Sequence, residues 1–193
     1  MTTKHLDIGC GSKPRNPFKY DELHGVDIIE QSVDDFHYTK SDIVLNPLPF
    51  PTSTFDSISA YDFLEHIPRF AVINNQGQFP FINFMNEAYR VLKPNGVFYA
   101  ITPYYPREEA FVDPTHINFI SRKTHTYFTT PDLGARVHGF NGKFDIIQVK
   151  IIKFSQGIDK NYSQLVKIIK NIVYSIFYKK KSHILWEFRA VKS

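Results

Sequence analysis

The chain holds a single cysteine, Cys10, among 193 residues. No internal disulfide can form, so a core rather than cross-links must hold the fold. No apolar run approaches the roughly 20 residues that a bilayer-spanning helix needs. A basic, apolar and small-residue leader is missing too, because a glycine-rich motif begins by Gly9. These absences point to a reduced, cytoplasmic setting. Charge of one sign is also scarce: 23 Lys and Arg stand against 19 Asp and Glu, a net charge of +4. A dedicated duplex-binding domain carries a stronger, clustered basic excess, so nucleic acid is not indicated as a partner. With neither repeats nor a low-complexity linker, the length argues for one domain over residues 1–193.

What is plentiful is apolar and aromatic. Hydrophobic residues make up 42%, enough for one core, and 18 Phe with 11 Tyr leave rings over for a cleft. Short apolar segments at residues 5–8, 24–28, 42–45, 55–60 and 97–101 read as strands. Pro47, Pro49 and Pro51 mark a loop between the third and fourth. A helical start is expected over 61–67, stopped near Pro68. A fuller helix is expected over about 79–92, where Phe81, Phe84, Met85, Ala88 and Leu92 keep the helical period. Residues 93–96, Lys-Pro-Asn-Gly, close it. Strands alternating with crossovers argue for an α/β fold with a doubly wound, mostly parallel sheet. Residues 144–154 and 184–191 read as two further strands, with an amphipathic helix near 162–177 between them.

Residues 7–11, Asp-Ile-Gly-Cys-Gly, follow the first strand directly. Two glycines at such a turn let the backbone bend tightly and let a ligand approach closely. Asp27 closes the next strand, where an acid can bond ribose hydroxyls. An adenosine site results. The third glycine of a dinucleotide fingerprint is replaced by Pro14, and no Walker A loop is present. Nicotinamide, flavin and ATP readings weaken accordingly.

Residues 6–11, Leu-Asp-Ile-Gly-Cys-Gly, resemble the first motif of class I S-adenosylmethionine-dependent methyltransferases of the type 11-like kind. Residues 48–51 with Phe55 and Asp56, then 64–67, resemble the segment around their fourth strand. Residues 87–97 resemble the following helix, turn and fifth strand. The matches keep the family's order and spacing over about residues 5–105. The resemblance implies a Rossmann-like three-layer sandwich on a seven-stranded sheet of order 3-2-1-4-5-7-6, strand 7 antiparallel. It also implies S-adenosyl-L-methionine as cofactor and S-adenosyl-L-homocysteine as product. Two departures are visible: the helix usual before the first strand is missing, and a helix-bearing insertion at about 157–182 separates the last two strands. The first leaves one side of the cofactor cleft to be covered by another segment or by a second copy in a homodimer.

By the same resemblance, Asp7, Gly9 and Gly11 shape the pocket around the methionine and ribose parts of the cofactor. Cys10 fills space beside it, with no activating partner in the sequence. Asp27, followed by Ile28, binds the ribose end. Asp42, Leu45 and Asn46 are placed at the adenine. Tyr61 and Asp62 follow strand four, near the sulfonium. On the acceptor side, Asp113-Pro114-Thr115-His116 lies past the fifth strand, where this fold receives ligands. His116 is the candidate base, polarised by Asp113, with His66 in reserve. The bland readings stay open beside these. Asp113 can begin a turn, and His66 can be a packed histidine. Asp113, His116, His125 and His138 match no standard zinc spacing, so no metal is expected.

The expected activity is methyl transfer to a hydroxyl or amine of a small molecule or carbohydrate. Methylation of a macromolecule such as RNA, and a non-catalytic subunit of the same fold, are the alternatives. The 162–177 helix, flanked by Lys160, Lys167, Lys170 and Lys179–Lys181, would cover its own domain or a dimer partner in preference to a membrane surface.

Overall fold

The computed structural model describes residues 2–31, 35–153 and 181–192. In chain order the elements are β1 (Lys4–Ile8), β2 (Glu22–Asp27), β3 (His37–Lys40), β4 (Phe55–Tyr61), β5 (Ala71–Ile73), β6 (Gln76–Gln78), α1 (Pro80–Val91), β7 (Leu92–Pro103), β8 (Phe144–Ile152) and β9 (His183–Ala190). The small strands β5 and β6 form a separate hairpin, and the other seven form one sheet of order β3-β2-β1-β4-β7-β9-β8. Numbered within that sheet alone, this is 3-2-1-4-5-7-6, the order implied by the family resemblance. The pairs from β3 to β7 are parallel, and β9 runs antiparallel to both β7 and β8. The fold is Rossmann-like.

Strand alternation builds the core. Leu6 and Ile8 of β1, Ile58 and Ala60 of β4, Phe98 and Ala100 of β7, and Trp186 and Phe188 of β9 belong to one apolar cluster. The cover on that face is α1. Pro80 opens the helix, where a missing N–H is no loss. Phe81, Phe84, Met85 and Ala88 are buried at helical spacing. The helix ends where Leu92 turns extended (ψ 142°) and passes into β7. The opposite face carries a smaller cluster of Tyr61, Tyr99, Ile101, Ile152 and Leu185, with Phe18 packed on it.

Several expectations need correction. The third strand is His37–Lys40, not residues 42–45. The apolar run Ile43-Val44-Leu45 mimicked a strand, but the Asp42 carboxylate accepts from the N–H groups of Val44 and Leu45 at 3.1 and 3.3 Å. Those bonds fold the run into a turn. The true strand is polar because it lies at the sheet edge. The helical start at 61–67 is a single 3-10 turn, Leu64–His66. Among the described residues α1 is the one α-helix, and the crossover from β1 to β2 is irregular. The 162–177 helix and most of the 157–182 insertion lie outside the described residues.

Candidate functional site

At the carboxyl edge of the sheet, β1 ends in a turn with Gly9 at φ +64° and Gly11 at φ +55°. Glycine adopts these left-handed values without strain. Both turn residues are tied to β2, Gly9 N–H donating to the Val26 carbonyl at 2.9 Å. A Cβ on Gly9 would lie 2.7 Å from the Phe63 ring, while one on Gly11 would meet nothing within 4 Å. Gly11 therefore faces open space. Asp27 borders that space: its Oδ2 accepts from Gly11 N–H at 2.9 Å, and its Oδ1 accepts from Ile29 N–H at 3.1 Å. Each carboxylate oxygen keeps a lone pair for a ribose hydroxyl. Ile28, Ile29 and Leu45 follow β2 and β3 at the same edge and are exposed. Apolar side chains left open beside a carboxylate and a bare glycine backbone suit a nucleoside, so the residues present fit S-adenosylmethionine.

The other residues expected on the cofactor side have clear places. Asp7 is fully buried beneath the turn. Its Oδ2 accepts from Arg15 N–H at 2.8 Å and its Oδ1 from Ser59 Oγ at 2.5 Å. His5 lies between two serines, with Nδ1 2.6 Å from Ser57 Oγ and Nε2 2.8 Å from Ser59 Oγ. One proton arrangement satisfies the chain while Asp7 is ionised. Ser59 donates to Asp7, His5 Nε2–H donates to Ser59, and Ser57 donates to His5 Nδ1. Burial pushes the Asp7 carboxyl up to about 7 and the His5 imidazole down to about 3. Cys10 is buried, and burial with the nearby Asp7 and Asp27 charges pushes its thiol up to about 12. A thiol held neutral is no nucleophile. Tyr61 is buried under the Arg15 guanidinium, 4.5 Å from ring centre. Asp62, at φ +46°, pairs with His183 Nε2 at 3.2 Å. Asn46 donates from Nδ2 to the Asp42 carbonyl at 3.0 Å, and so belongs to the turn that replaced the expected strand.

Of the residues expected on the acceptor side, the structure brings Asp113, His116 and His66 to one place and adds Glu65. His116 Nε2 is 3.9 Å from both Glu65 Oε1 and Asp113 Oδ2. The His66 and His116 rings meet edge to face, 4.8 Å between centres. Thr115 links the group: its Oγ1 donates to Asp113 Oδ1 at 2.7 Å and lies 3.1 Å from His66 Nδ1. The Asp113 turn is real, since Thr115 N–H also donates to Asp113 Oδ1 at 2.8 Å. Those two Thr115 bonds hold the Asp113 carboxyl below its ordinary range. Glu65 behaves oppositely. Burial, reinforced by the Asp62 and Asp113 charges, pushes its carboxyl up to about 8. His125 sits against Trp186 and His138 against Phe79, so neither joins the Asp113–His116 group.

Sequence reading missed Glu65, Thr102 and Asn118. Thr102 Oγ1 donates to Glu65 Oε2 at 2.8 Å. The N–H groups of Ile117 and Asn118 donate to the Glu65 carbonyl oxygen at 3.0 and 2.9 Å. The available signal was an acid inside the apolar run Phe63-Leu64-Glu65-His66-Ile67. Beyond Asn118, Arg69 Nε donates to its Oδ1 at 2.7 Å. Arg69 and Phe119 then open a cavity of about 710 Å³, lined also by Phe79, Lys123, Tyr127 and Phe128. That volume is in the range of small-molecule sites. Among the described residues two groups bring three metal-ligand side chains within 4.8 Å of one another, Glu65–His66–His116 and Glu22–His24–His37.

Comparison with known proteins places this geometry. No curated protein sequence matches the chain significantly. Residues 6–100 match the family described as a methyltransferase domain. A putative methyltransferase of Haloferax volcanii, solved with the Trm112 methyltransferase activator, superposes with a TM-score of 0.60 at 16% identity, over 99% of this chain and 84% of its own. A SAM-dependent methyltransferase from Archaeoglobus fulgidus gives 0.54 at 18% identity, over 97% and 86%. Phosphoethanolamine N-methyltransferase 1 of Haemonchus contortus, solved with phosphoethanolamine and S-adenosylhomocysteine, gives 0.61 at 12% identity, over 100% of this chain and 40% of that one. Residues 6–100 thus carry a methyltransferase domain, and the sheet and glycine cradle have the class I, Rossmann-like methyltransferase form, whose cofactor is S-adenosylmethionine.

Proposed function

We propose that the protein transfers the methyl group of S-adenosylmethionine to a hydroxyl or amine of a small molecule or sugar. One observation carries this reading. Residues 61–70 leave the end of β4 beside the glycine cradle, pass through Glu65 and His66, and reach the aromatic cavity at Arg69 and Phe70. A titratable cluster thus stands between a nucleoside cradle and a cavity of small-molecule size.

When bound, the cofactor supplies a methyl group activated by a sulfonium, so the protein's main task is positioning. Gly9, Cys10, Gly11 and Asp27 hold the nucleoside end, with Asp7 fixing the turn from below. Ile28, Leu45 and the Asp42–Asn46 turn flank the base. Tyr61 and Asp62 border the reacting end. For a hydroxyl acceptor, His116 takes the proton at Nε2. Asp113, kept ionised by Thr115, favours the imidazolium that forms. His66, bonded to the same threonine, fixes the arrangement.

Calorimetry should show binding of S-adenosylhomocysteine and none of NAD. Radiolabelled methyl transfer into fractionated cell extract should place the label in the small-molecule fraction. Label confined to RNA or protein, or cofactor binding with no transfer at all, would refute the proposal. His116→Ala should lower turnover about 10²- to 10⁴-fold at saturating cofactor. Near-normal turnover would remove His116 from the role of base.

A further inference from the structure

We propose that Glu65, His66 and His116 form a binding site for one divalent first-row transition cation, with zinc the best match. The first reason is an orphaned atom. Glu65 is 1% exposed, and its Oε1 has no hydrogen-bond partner, whereas Oε2 is held by Thr102. A half-satisfied buried carboxyl is costly unless something completes it. His116 Nε2 is the polar atom facing Oε1, at 3.9 Å, too long for a hydrogen bond and with room between them.

The second reason is orientation. Metal-binding imidazoles use one ring nitrogen on the ion and tie the other to a second group that fixes the ring. His66 has that tie: Nδ1 meets Thr115 Oγ1 at 3.1 Å, and Thr115 is itself anchored on Asp113. Its Nε2 is left for a ligand. Glu65 is tied in the same manner through Thr102. Two of the three donors, on Glu65 and His66, are thus held by a second group, while the His116 ring is oriented by its edge-to-face contact with His66 and its Nδ1 has no hydrogen-bond partner.

The third reason is the donor set. Two imidazoles and one carboxylate are the ligands of an open zinc site, which keeps a further position for water or substrate. Asp113 stands at the mouth, 45% exposed, with Oδ2 3.9 Å from His116 Nε2, and offers an entry path or a fourth ligand. The ligand atoms lie within 4.8 Å of one another, against roughly 3.3 Å for tetrahedral bonds of zinc length. Small side-chain rotations close that gap. The Glu22–His24–His37 group also holds an orphaned atom, His24 Nε2, but Lys4 already occupies Glu22 at 2.8 Å and the two imidazoles are stacked face to face at 4.7 Å.

Coordination and proton acceptance use the same His116 nitrogen, so they are alternative states of one site. The link to the acceptor rests on the function proposed above, but cation binding itself is measured without methyl transfer. Tag-free, chelator-treated full chain should be titrated with Zn²⁺ against a chromogenic chelator. One equivalent should bind, and His66→Asn and His116→Asn should each weaken that binding about 10- to 100-fold. His37→Asn should bind as the parent does. Co²⁺ should give visible d–d bands that the His116→Asn protein lacks. S-adenosylhomocysteine binding by every variant shows that the fold is intact and tests the cofactor reading separately. No stoichiometric uptake, or uptake unchanged in both His66→Asn and His116→Asn, would overturn the site.

Discussion

Within β1 and β4, alternate residues give the two faces of the sheet opposite chemistry. On the α1 face, Leu6, Ile8, Ile58, Ala60, Phe98 and Trp186 pack as one apolar mass. On the other face, the residues between them are His5, Asp7, Ser57 and Ser59, all buried and joined by hydrogen bonds. The apolar face stabilises by close packing, which is tolerant of direction. The polar face stabilises only while each donor meets its acceptor. It also reaches the glycine turn through Asp7, which holds the Arg15 backbone. The comparison teaches that stability and site geometry are assigned to opposite sides of the same five-residue strand.

The largest test of this contrast is Trp186→Ala. Trp186 is fully buried on the apolar face, and its truncation should cost about 3–5 kcal/mol in urea unfolding. A loss under about 1 kcal/mol would mean that the face is not the dominant core. The next test reads a slope. Asp7 is raised to about 7, so between its ordinary value of 3.8 and 7 the folded state holds a proton that the unfolded chain has lost. Asp7 thus lowers stability progressively as pH climbs through that window. His5, lowered from 6.5 to about 3, acts in the reverse sense: its neutral form favours folding, and that benefit is lost as pH falls from 6.5 towards 3. The urea midpoint of Asp7→Asn minus that of the parent should therefore rise from pH 4 to 7 and then level. A flat difference would show that Asp7 is ionised throughout. Smaller again is Ser59→Ala, which strands one His5 nitrogen and one Asp7 oxygen and should cost about 1–3 kcal/mol. Least of all is Lys4→Met, which removes a partly exposed pair with Glu22 and should leave the melting temperature nearly unchanged. The last two, measured together by thermal melts, separate buried polar bonds from surface ones.

The parts of the molecule legible in the sequence are those written in neighbouring residues. The glycine turn and Asp27 can be read because strand, turn and acid follow each other within one crossover. The α1 period is equally local, and the helix was placed within a residue at each end. The third strand was misplaced because an edge strand needs no apolar face, while a carboxylate can curl an apolar run into a turn. The cluster of Glu65, His66, Asp113 and His116 is half legible. His66, Asp113 and His116 were singled out by type and place, but Glu65 and Thr102 join them only when β4 and β7 pair side by side. Its true companions, unlike His125 and His138, are set by sheet order, which spacing along the chain does not encode.

The position of β9 between β7 and β8 has a consequence for biosynthesis. As the polypeptide leaves the ribosome, β8 emerges some thirty residues before β9, the partner that must lie between it and β7. Until β9 threads in, the open edge of β7 is a template for any passing extended peptide.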